Sequence, residues 1–238
     1  MSLFGQCCDV PAIKAICDKH QIYLIEDAAQ SIGSEWEGKR SGSMCDFGTF
    51  SFFPSKNLGG YGDGGMMVTQ DEALYHRLMR LRTHGSVKTY YHEEVGFNSR
   101  LDALQAVVLK AKLPYLAGWS AKRRENAAYY NAAFADLAEL TTPYIDPANE
   151  SIFNQYTIRV PRRDALKEHL AERSIGHSVY YPLPLHLQPC FAYLGYREGS
   201  CSASEQAAHE VLSLPIFPEL THAQLDEVVG AVRSFFGR

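Results

Sequence analysis

The sequence of 238 residues predicts an α/β fold with a smaller α+β part toward the C-terminus. Three observations support this prediction. Helical and strand-like segments alternate over residues 9–69, later segments repeat apolar residues at helical spacing, and a turn-rich segment at 141–151 interrupts the pattern. We therefore expect two domains, a larger one over residues 1–140 and a smaller one over residues 141–238.

The N-terminal half begins with a helix that short strands follow. Residues 9–20 have the features of a capped amphipathic helix, with Asp9 as the N-cap and Pro11 in the first turn. Residues 21–27 then form a predicted buried strand. The later elements are strands at 48–53 and 65–69, a helix at 71–83, a helix from 100 to a break at Pro114, and a long helix to about Leu137.

The C-terminal part combines two predicted strands with three predicted helices. Residues 156–160 alternate apolar and polar side chains as a half-buried strand does, and residues 177–181 form a second strand-like segment. The predicted helices lie at 162–174, 203–212 and 221–235. This mixture of elements is typical of a small α+β domain.

The composition excludes several classes of protein. The net charge of -4 and the isoelectric point near 6.1 give no electrostatic basis for binding nucleic acid or an acidic membrane surface. No apolar run approaches the length of a membrane span, and the N-terminus lacks the features of a signal peptide. The six cysteines follow neither a disulfide nor a zinc spacing, so we expect reduced thiols, no metal site and a cytoplasmic protein.

The segment SFFPSKNLGGYGDGGMM, at residues 51–67, places a lysine between an aromatic strand and a loop with five glycines. Ser51 lies on the strand, and Lys56 follows the turn that Pro54 imposes. The lysine is either a surface cation or a nucleophile. The glycines indicate positive φ angles, a close approach of the backbone to a ligand, or simply the turn of a hairpin.

The segment IEDAAQ, at residues 25–30, places carboxylates at the end of a predicted strand, where α/β proteins form ligand sites. A Schiff-base lysine needs a deprotonated amine, a pyridinium cofactor needs a carboxylate at its ring nitrogen, and a cofactor phosphate needs short hydroxyl donors. Lys56, Asp27 and Ser51 supply these three groups on neighbouring strand ends. An alternative is that Asp27 only caps the following turn.

Five motifs, in this order, resemble those of the DegT-type nucleotide-sugar aminotransferases: EDAAQSIG, FGTFSFFPSKNLGGYGDGGMM, RTHG, GFNSRLDALQA and YPLPLHLQP. The resemblance covers essentially the whole chain. It implies pyridoxal phosphate (PLP) as cofactor and fold type I, the aspartate-aminotransferase fold. Residues 1–140 would form the second part of the large domain, with a mostly parallel sheet and connecting helices, and residues 141–238 the small α+β domain.

The resemblance also implies roles for five residues. Lys56 is expected to bind the cofactor covalently and to carry a proton between substrate and cofactor, while Asp27 pairs with the pyridinium nitrogen. Gln30 matches the residue beside the ring hydroxyl O3′, and Ser51 matches a phosphate ligand. Asn98 matches an asparagine that reaches the phosphate of the neighbouring subunit, which implies a homodimer with shared sites. Gln30 and Asn98 are alternatively turn residues.

A lysine at position 56, where a dehydratase branch of the family has histidine, favours transamination from glutamate to a keto-sugar nucleotide. The amino-acid sequences of these motifs most resemble those of enzymes that aminate C3 of UDP-linked 2-acetamido-3-keto-hexuronates. In that subgroup Arg100 would bind the sugar carboxylate, although a surface salt bridge to Asp102 or Glu94 is the alternative.

The subgroup's His-Tyr-Pro motif is replaced in this chain by a Tyr-Tyr-Pro motif that begins at Tyr180. His186 follows closely and either faces the substrate pocket or is simply a partly buried histidine. Tyr180 and His186 are therefore candidate substrate residues.

Family members carry an N-terminal segment, roughly a third of the full protein, that has no counterpart in this chain. The resemblance implies that this segment holds a helix N-terminus that binds the cofactor phosphate and an aromatic residue stacked on the ring. We therefore hypothesise a truncated chain that retains Lys56 but binds PLP weakly and self-associates. Two rival hypotheses are a non-catalytic regulatory module and a structural remnant without cofactor.

Overall fold

The computed structural model describes residues 1–238, the whole chain. It contains seven α-helices and ten short strands, with three 3-10 helices between them. The helices are α1 (Val10–Lys19), α2 (Glu72–Arg82), α3 (Ala103–Lys112), α4 (Leu116–Phe134), α5 (Arg163–Glu172), α6 (Ser202–Glu210) and α7 (His222–Phe235). The strands are β1 (Ile25–Asp27), β2 (Glu35–Trp36), β3 (Lys39–Arg40), β4 (Phe47–Ser51), β5 (Gly65–Val68), β6 (Ser86–Lys88), β7 (Tyr91–His92), β8 (Asn149–Glu150), β9 (Tyr156–Arg159) and β10 (Val211–Leu214). No helix combines the length and apolar character that crossing a membrane requires.

The chain divides into two compact units, and the division differs from the predicted boundary at residue 140. The first unit comprises Met1–Ser120 and Ile145–Asn154, and the second comprises Ala121–Tyr144 and Gln155–Arg238. The sequence composition changes near residue 141, but side-chain packing, described next, decides which unit each segment joins.

Two sets of contacts explain this division. Tyr130 of α4 packs on Phe134 and Tyr156, with ring centroids 5.8 and 5.0 Å away, and these aromatic side chains are in the core of the second unit. The segment before Asn154, in contrast, returns to the first unit, because β8 pairs antiparallel with β2 and Asn149 accepts a hydrogen bond from the Cys7 N–H at 2.8 Å.

The main sheet of the first unit has the strand order β1-β4-β5. β1 and β4 are parallel, whereas β4 and β5 are antiparallel, so parallel pairing is limited to one strand pair of this sheet. The predicted first helix is confirmed: Asp9 accepts a hydrogen bond from the Ala12 N–H at 3.0 Å, with Pro11 in the first turn of α1. Pro114 lies in the 3-10 helix that separates α3 from α4, which confirms the predicted break.

The strand predicted over residues 21–27 is shorter than expected, and its burial is the reverse of the prediction. Only Ile25–Asp27 pair with β4, and the side chains of Tyr23 and Ile25 are 71% and 59% exposed. Glu26 is instead 2% exposed. A carboxylate is stable inside only where hydrogen-bond donors surround it, and three such donors are present here, as described below.

The second unit differs from the prediction in one strand pair. β9 pairs antiparallel with β10, a strand of four buried residues that the sequence pattern assigned in part to the preceding helix. The predicted strand over residues 177–181 contributes only an isolated bridge between Ser178 and Ser213. A short apolar run cannot be assigned to helix or strand by periodicity alone, which accounts for the error.

Gly48 on β4 allows a close backbone contact within the first unit. A Cβ atom at this position would lie 2.2 Å from the carbonyl oxygen of Gly42. We expect Gly48→Ala to lower the free energy of unfolding by about 3 kcal/mol, because overpacking against backbone has no flexible neighbour to absorb it. Urea unfolding curves would measure this loss.

Gly118 in α4 is the matched control, since a Cβ there would have no atom within 4 Å. Alanine stabilises an open helical position by up to about 1 kcal/mol relative to glycine. Equal effects of the two substitutions on the unfolding free energy would contradict the packing argument.

Candidate active site

Asp27 and Ser51 lie on the same face of the main sheet. Asp27 is paired with Thr49 in the parallel register of β1 and β4, and Ser51 is two residues further along β4. Because side chains alternate along a strand, all three project to one face, whereas Glu26 and its partner Gly48 project to the other. The predicted juxtaposition of a carboxylate and a hydroxyl is therefore observed at this sheet end.

Lys56 follows a tight turn at the end of β4. Its backbone N–H donates to the carbonyl oxygen of Phe53 at 2.9 Å, which encloses Pro54 and Ser55 in the turn that the sequence predicts. The side chain is partly buried. Burial lowers the pKa of Lys56 below the ordinary lysine value, and the nearby Asp27 charge acts in the opposite direction. The amine is thus less basic than that of a solvated surface lysine, and it lies within electrostatic range of a carboxylate.

The backbone after Lys56 is fixed by burial on its C-terminal side. Asn57 is buried and donates from its side-chain amide to the carbonyl oxygen of Ile152 at 3.3 Å. Leu58 belongs to a core cluster with Phe52, Leu109 and Leu116. With the turn on one side and these contacts on the other, the Cα position of the lysine is well defined.

The five glycines at residues 59–65 approach protein groups closely, and none of them has a φ angle in the left-handed region. A Cβ at Gly59 would lie 2.3 Å from the carbonyl oxygen of Pro54. Cβ atoms at Gly60 and Gly62 would lie 2.8 and 2.9 Å from the side-chain amide of Gln105. The expectation of positive φ angles is therefore wrong for this loop. Glycine is needed here for a different reason, because a larger residue would collide with the preceding turn or with α3.

Asp27 and Ser51 also make local hydrogen bonds. The Asp27 carboxylate accepts from the Ala29 N–H at 3.0 Å, and the Ser51 hydroxyl accepts from the Phe53 N–H at 3.2 Å. The turn-capping interpretation of Asp27 thus holds together with its electrostatic effect on Lys56. Both side chains are oriented by the backbone that follows them, which fixes the two groups before any ligand binds.

Gln30 is buried, and its side-chain oxygen accepts a hydrogen bond from the Phe4 N–H at 2.9 Å. Asn98 and Arg100 are exposed, beyond the β6-β7 hairpin. Glu94, one of the two alternative partners of Arg100, pairs with arginines of α2 instead. Arg100 therefore presents its guanidinium to solvent at a position open to a ligand or another subunit.

Tyr180 and His186 belong to the second unit, whereas the residues described above belong to the first. His186 Nε2 lies 2.8 Å from the Glu205 carboxylate, and the two side chains are only 9% and 14% exposed. Backbone N–H groups of Gly199 and Cys201, together with His186, hold the pKa of Glu205 below its usual value. The structure supports the partly buried alternative for His186, with Glu205 as its partner.

One functional candidate was not identified from the sequence. Glu26 was noted only as a second carboxylate beside Asp27, but it accepts three hydrogen bonds in the interior. The serines at positions 2 and 41, whose hydroxyls donate to it, were the available signal. Short hydroxyl side chains that are distant in sequence are needed where a carboxylate is buried without a cation.

Comparison with known proteins places these residues in a family. The family model described as "DegT/DnrJ/EryC1/StrS aminotransferase family" matches residues 1–233. The chain is 48% identical over 238 residues to a protein of Geobacillus stearothermophilus named "Pleiotropic regulatory protein", with 98% of this chain and 63% of that protein covered. It is 44% identical over 231 residues to an Acidithiobacillus ferrooxidans protein named UDP-N-acetyl-3-dehydro-alpha-D-glucosamine 3-aminotransferase, with 97% and 62% covered.

Among solved structures, S. venezuelae DesV in complex with a ketimine intermediate is similar, with a TM-score of 0.96 and 41% identity. That comparison covers 99% of this chain and 64% of the DesV chain. The present chain therefore spans less than two thirds of the length of these relatives. Within that span, both the sequence and the fold correspond throughout.

Proposed function

Because the chain belongs to the DegT/DnrJ/EryC1/StrS aminotransferase family, we propose that it catalyses PLP-dependent transamination of a keto-sugar nucleotide in the cytoplasm. Glutamate would be the amino donor. The observation that carries this proposal is the partly buried Lys56, whose amine is less basic than usual and lies within electrostatic range of Asp27. Amine, carboxylate and hydroxyl are the groups that such a cofactor requires, and they occur at one sheet end.

The residues present fit PLP. When bound, PLP supplies an electron sink that weakens the bonds at the carbon bearing the amine. Lys56 would hold the cofactor covalently, Asp27 would pair with its ring nitrogen, and Gln30 would lie beside the ring hydroxyl. Ser51 would donate to the phosphate, because its hydroxyl hydrogen is not used in accepting from Phe53.

Lys56 is also suited to move protons. A base works best when its pKa is near the working pH, and burial shifts the pKa of this lysine in that direction. The fixed turn before it and the buried Asn57 after it limit the positions that the amine can reach. We infer that Lys56 takes a proton from the donor carbon and returns one during formation of the amino-sugar.

We infer that the functional form is a homodimer in which Asn98 reaches the cofactor phosphate of the neighbouring subunit. The support is the surface around Asn98. The side chains of Tyr90, Val95 and Phe97 are exposed there, as is that of Leu104 on α3. An exposed apolar group of this kind is typical of a surface that another chain covers.

For the acceptor we propose a UDP-linked 3-keto-N-acetylhexosamine or its uronate. The relative from Acidithiobacillus ferrooxidans carries a name for amination at C3 of such a sugar. Arg100 would bind the carboxylate of a uronate, since a guanidinium matches a carboxylate through two parallel hydrogen bonds. Tyr180 and His186 remain proposed substrate residues, with His186 oriented by Glu205.

The proposal is tested by incubating the purified protein with PLP, glutamate and either the UDP-linked 3-keto-N-acetylhexosamine or its uronate. We expect formation of 2-oxoglutarate with at least one of them, and kcat/KM higher for the uronate. Replacing Arg100 by Gln is expected to lower kcat/KM for the uronate about 10- to 100-fold and to leave the uncharged sugar nearly unchanged. Equal losses on both substrates would show that Arg100 does not bind the carboxylate.

A non-catalytic regulatory function is the second candidate, because the relative that is 48% identical is named a regulatory protein. Binding of PLP without 2-oxoglutarate formation on either sugar or on a 4-keto-hexose would favour it. A protein that neither binds PLP nor turns over would instead favour a catalytically impaired fragment. The presence of Lys56, Asp27 and Ser51 together supports catalysis, since these are the amine, carboxylate and hydroxyl that the transamination chemistry requires.

A further inference from the structure

Glu26 is a buried carboxylate that the proposed mechanism does not use. Its Oε1 accepts hydrogen bonds from the hydroxyls of Ser2 at 2.7 Å and Ser41 at 2.8 Å, and its Oε2 accepts from the Gly42 N–H at 2.7 Å. No arginine or lysine pairs with it. Three hydrogen bonds are therefore what offsets the cost of removing this charge from water.

These hydrogen bonds converge on the backbone around Asp27. Glu26 is the residue before Asp27, and their side chains project to opposite faces of β1. Ser2 bonds to both residues, because its hydroxyl donates to Glu26 and its N–H donates to the Asp27 carbonyl oxygen at 2.9 Å. The hydrogen bonds from Ser2 thus hold the strand end that carries Asp27, and they do so from the face of the sheet away from Lys56.

The Glu26 carboxylate is also connected, through hydrogen bonds of two serines, to the loop that carries Gln30. The hydroxyls of Ser31 and Ser41 are 2.6 Å apart, and Ser41 uses its hydrogen in the bond to Glu26. Ser31 therefore donates to Ser41. Since Ser31 directly follows Gln30, the series of bonds from Glu26 through Ser41 ends beside a second proposed cofactor residue.

We propose that Glu26 is a positioning residue that holds Asp27 and the Gln30 loop in place from the opposite face of the sheet. The roles of Asp27 and Gln30 at a cofactor rest on the proposed function. The position of Asp27 relative to Lys56 does not, and it can be tested in this chain alone. Without Glu26, the buried Gly42 N–H would lose its acceptor, and the hydroxyls of Ser2 and Ser41 would keep only neutral partners, the Cys8 sulfur at 3.8 Å and the Ser31 hydroxyl at 2.6 Å. The strand end would rearrange to satisfy them, and Asp27 would move relative to Lys56.

The test measures the protonation of Lys56 directly, without cofactor or substrate. The protein is labelled with acetic anhydride over a range of pH, and mass spectrometry gives the labelling of Lys56 relative to the exposed Lys167. The midpoint of this profile reports protonation, whereas its plateau reports access to the amine. Asp27→Asn should move the midpoint to lower pH, because the Asp27 charge raises the pKa of Lys56.

We expect Glu26→Ala to move the midpoint in the same direction, with labelling at a fixed pH below the midpoint rising about two- to fivefold. In the double variant with Asp27→Asn, Glu26→Ala should cause no further shift, because both changes remove the same interaction. Glu26→Gln should restore the wild-type profile. Its amide can donate to the two serine hydroxyls while its oxygen accepts from Gly42, so position is kept and only charge is lost.

Asp46→Ala is the matched control. Asp46 accepts from the Leu24 N–H at 2.7 Å and so anchors the opposite end of β1, with a carboxylate that is partly exposed and 3.8 Å from the Lys14 amine. Its loss should lower stability without moving the Lys56 midpoint. The positioning role is overturned if Glu26→Ala leaves the midpoint unchanged in a folded protein, or if its shift adds to that of Asp27→Asn. Failure of the transamination assay would leave this outcome unaffected, so the two proposals fail separately.

Discussion

Replacing Lys56 by alanine is expected to abolish transamination, with kcat falling at least about 10⁴-fold, which corresponds to more than about 5 kcal/mol of transition-state stabilisation. The variant loses both the amine that would hold the cofactor and the base that would move the proton. The protein should still fold, since Lys56 is only partly buried and its turn is held by the backbone bond to Phe53. The measurements are 2-oxoglutarate formation and the absorption band of lysine-bound PLP.

A chemical rescue serves as the control for Lys56→Ala. Methylamine added to the variant should restore part of the proton transfer, because a small amine can enter the space of the missing side chain. Activity within tenfold of wild type, or an unchanged absorption band, would show that another group does this chemistry.

The shared-site proposal adds a second check on the same variant. If Asn98 acts in the neighbouring subunit, an equal mixture of Lys56→Ala and Asn98→Ala chains contains heterodimers with one intact site. Random pairing then gives about a quarter of the wild-type activity. An absence of recovery on mixing, with subunit exchange shown independently, would place both residues in a site formed by one chain.

Replacing Asp27 by asparagine is the second substitution with a large expected effect, a loss in kcat/KM of about 10²- to 10³-fold. Asparagine is nearly the same size and can still accept the Ala29 N–H, so the local turn is kept. What it lacks is the negative charge that would pair with a protonated ring nitrogen. Steady-state kinetics with glutamate and the keto-sugar nucleotide would measure the loss.

This substitution also separates the two interpretations of Asp27. A residue that only caps its turn would tolerate asparagine, and activity would remain near the wild-type value. Asp46→Asn is the control, because it removes a charge at the other end of β1 where the side chain accepts from Leu24. Comparable losses in the two variants would point to a general effect of charge on the strand.

Local interactions are the part of this structure that the sequence predicts well. The N-cap at Asp9, the turn before Lys56 and the break at Pro114 each depend on residues within four positions of one another. The proximity of Lys56 to Asp27 was also predictable, because the carboxyl ends of neighbouring parallel strands meet at one sheet edge. The resemblance of the five sequence motifs then predicted the family to which the chain belongs.

Interactions between distant segments account for the differences. Glu205, the partner of His186, is 19 residues away, and Gln105 contacts a glycine loop more than 40 residues before it. The burial of Glu26 depends on Ser2 and Ser41, which no periodicity connects to β1. Hydrophobic pattern identifies apolar faces, but it cannot show that a polar residue finds all of its donors in the interior.

The close fit between the glycine loop and α3 limits how this sequence can diverge. The Gln105 side chain accepts from the Tyr61 N–H at 2.7 Å and occupies the space beside Gly60 and Gly62, while Lys112 donates to the carbonyl oxygen of Gly59. A side chain gained at Gly60 or Gly62 would require either a smaller residue at position 105 or a shift of the Gln105 side chain that breaks its bond to Tyr61. Substitutions at these two glycines and at position 105 are therefore expected to be non-additive in their effect on stability.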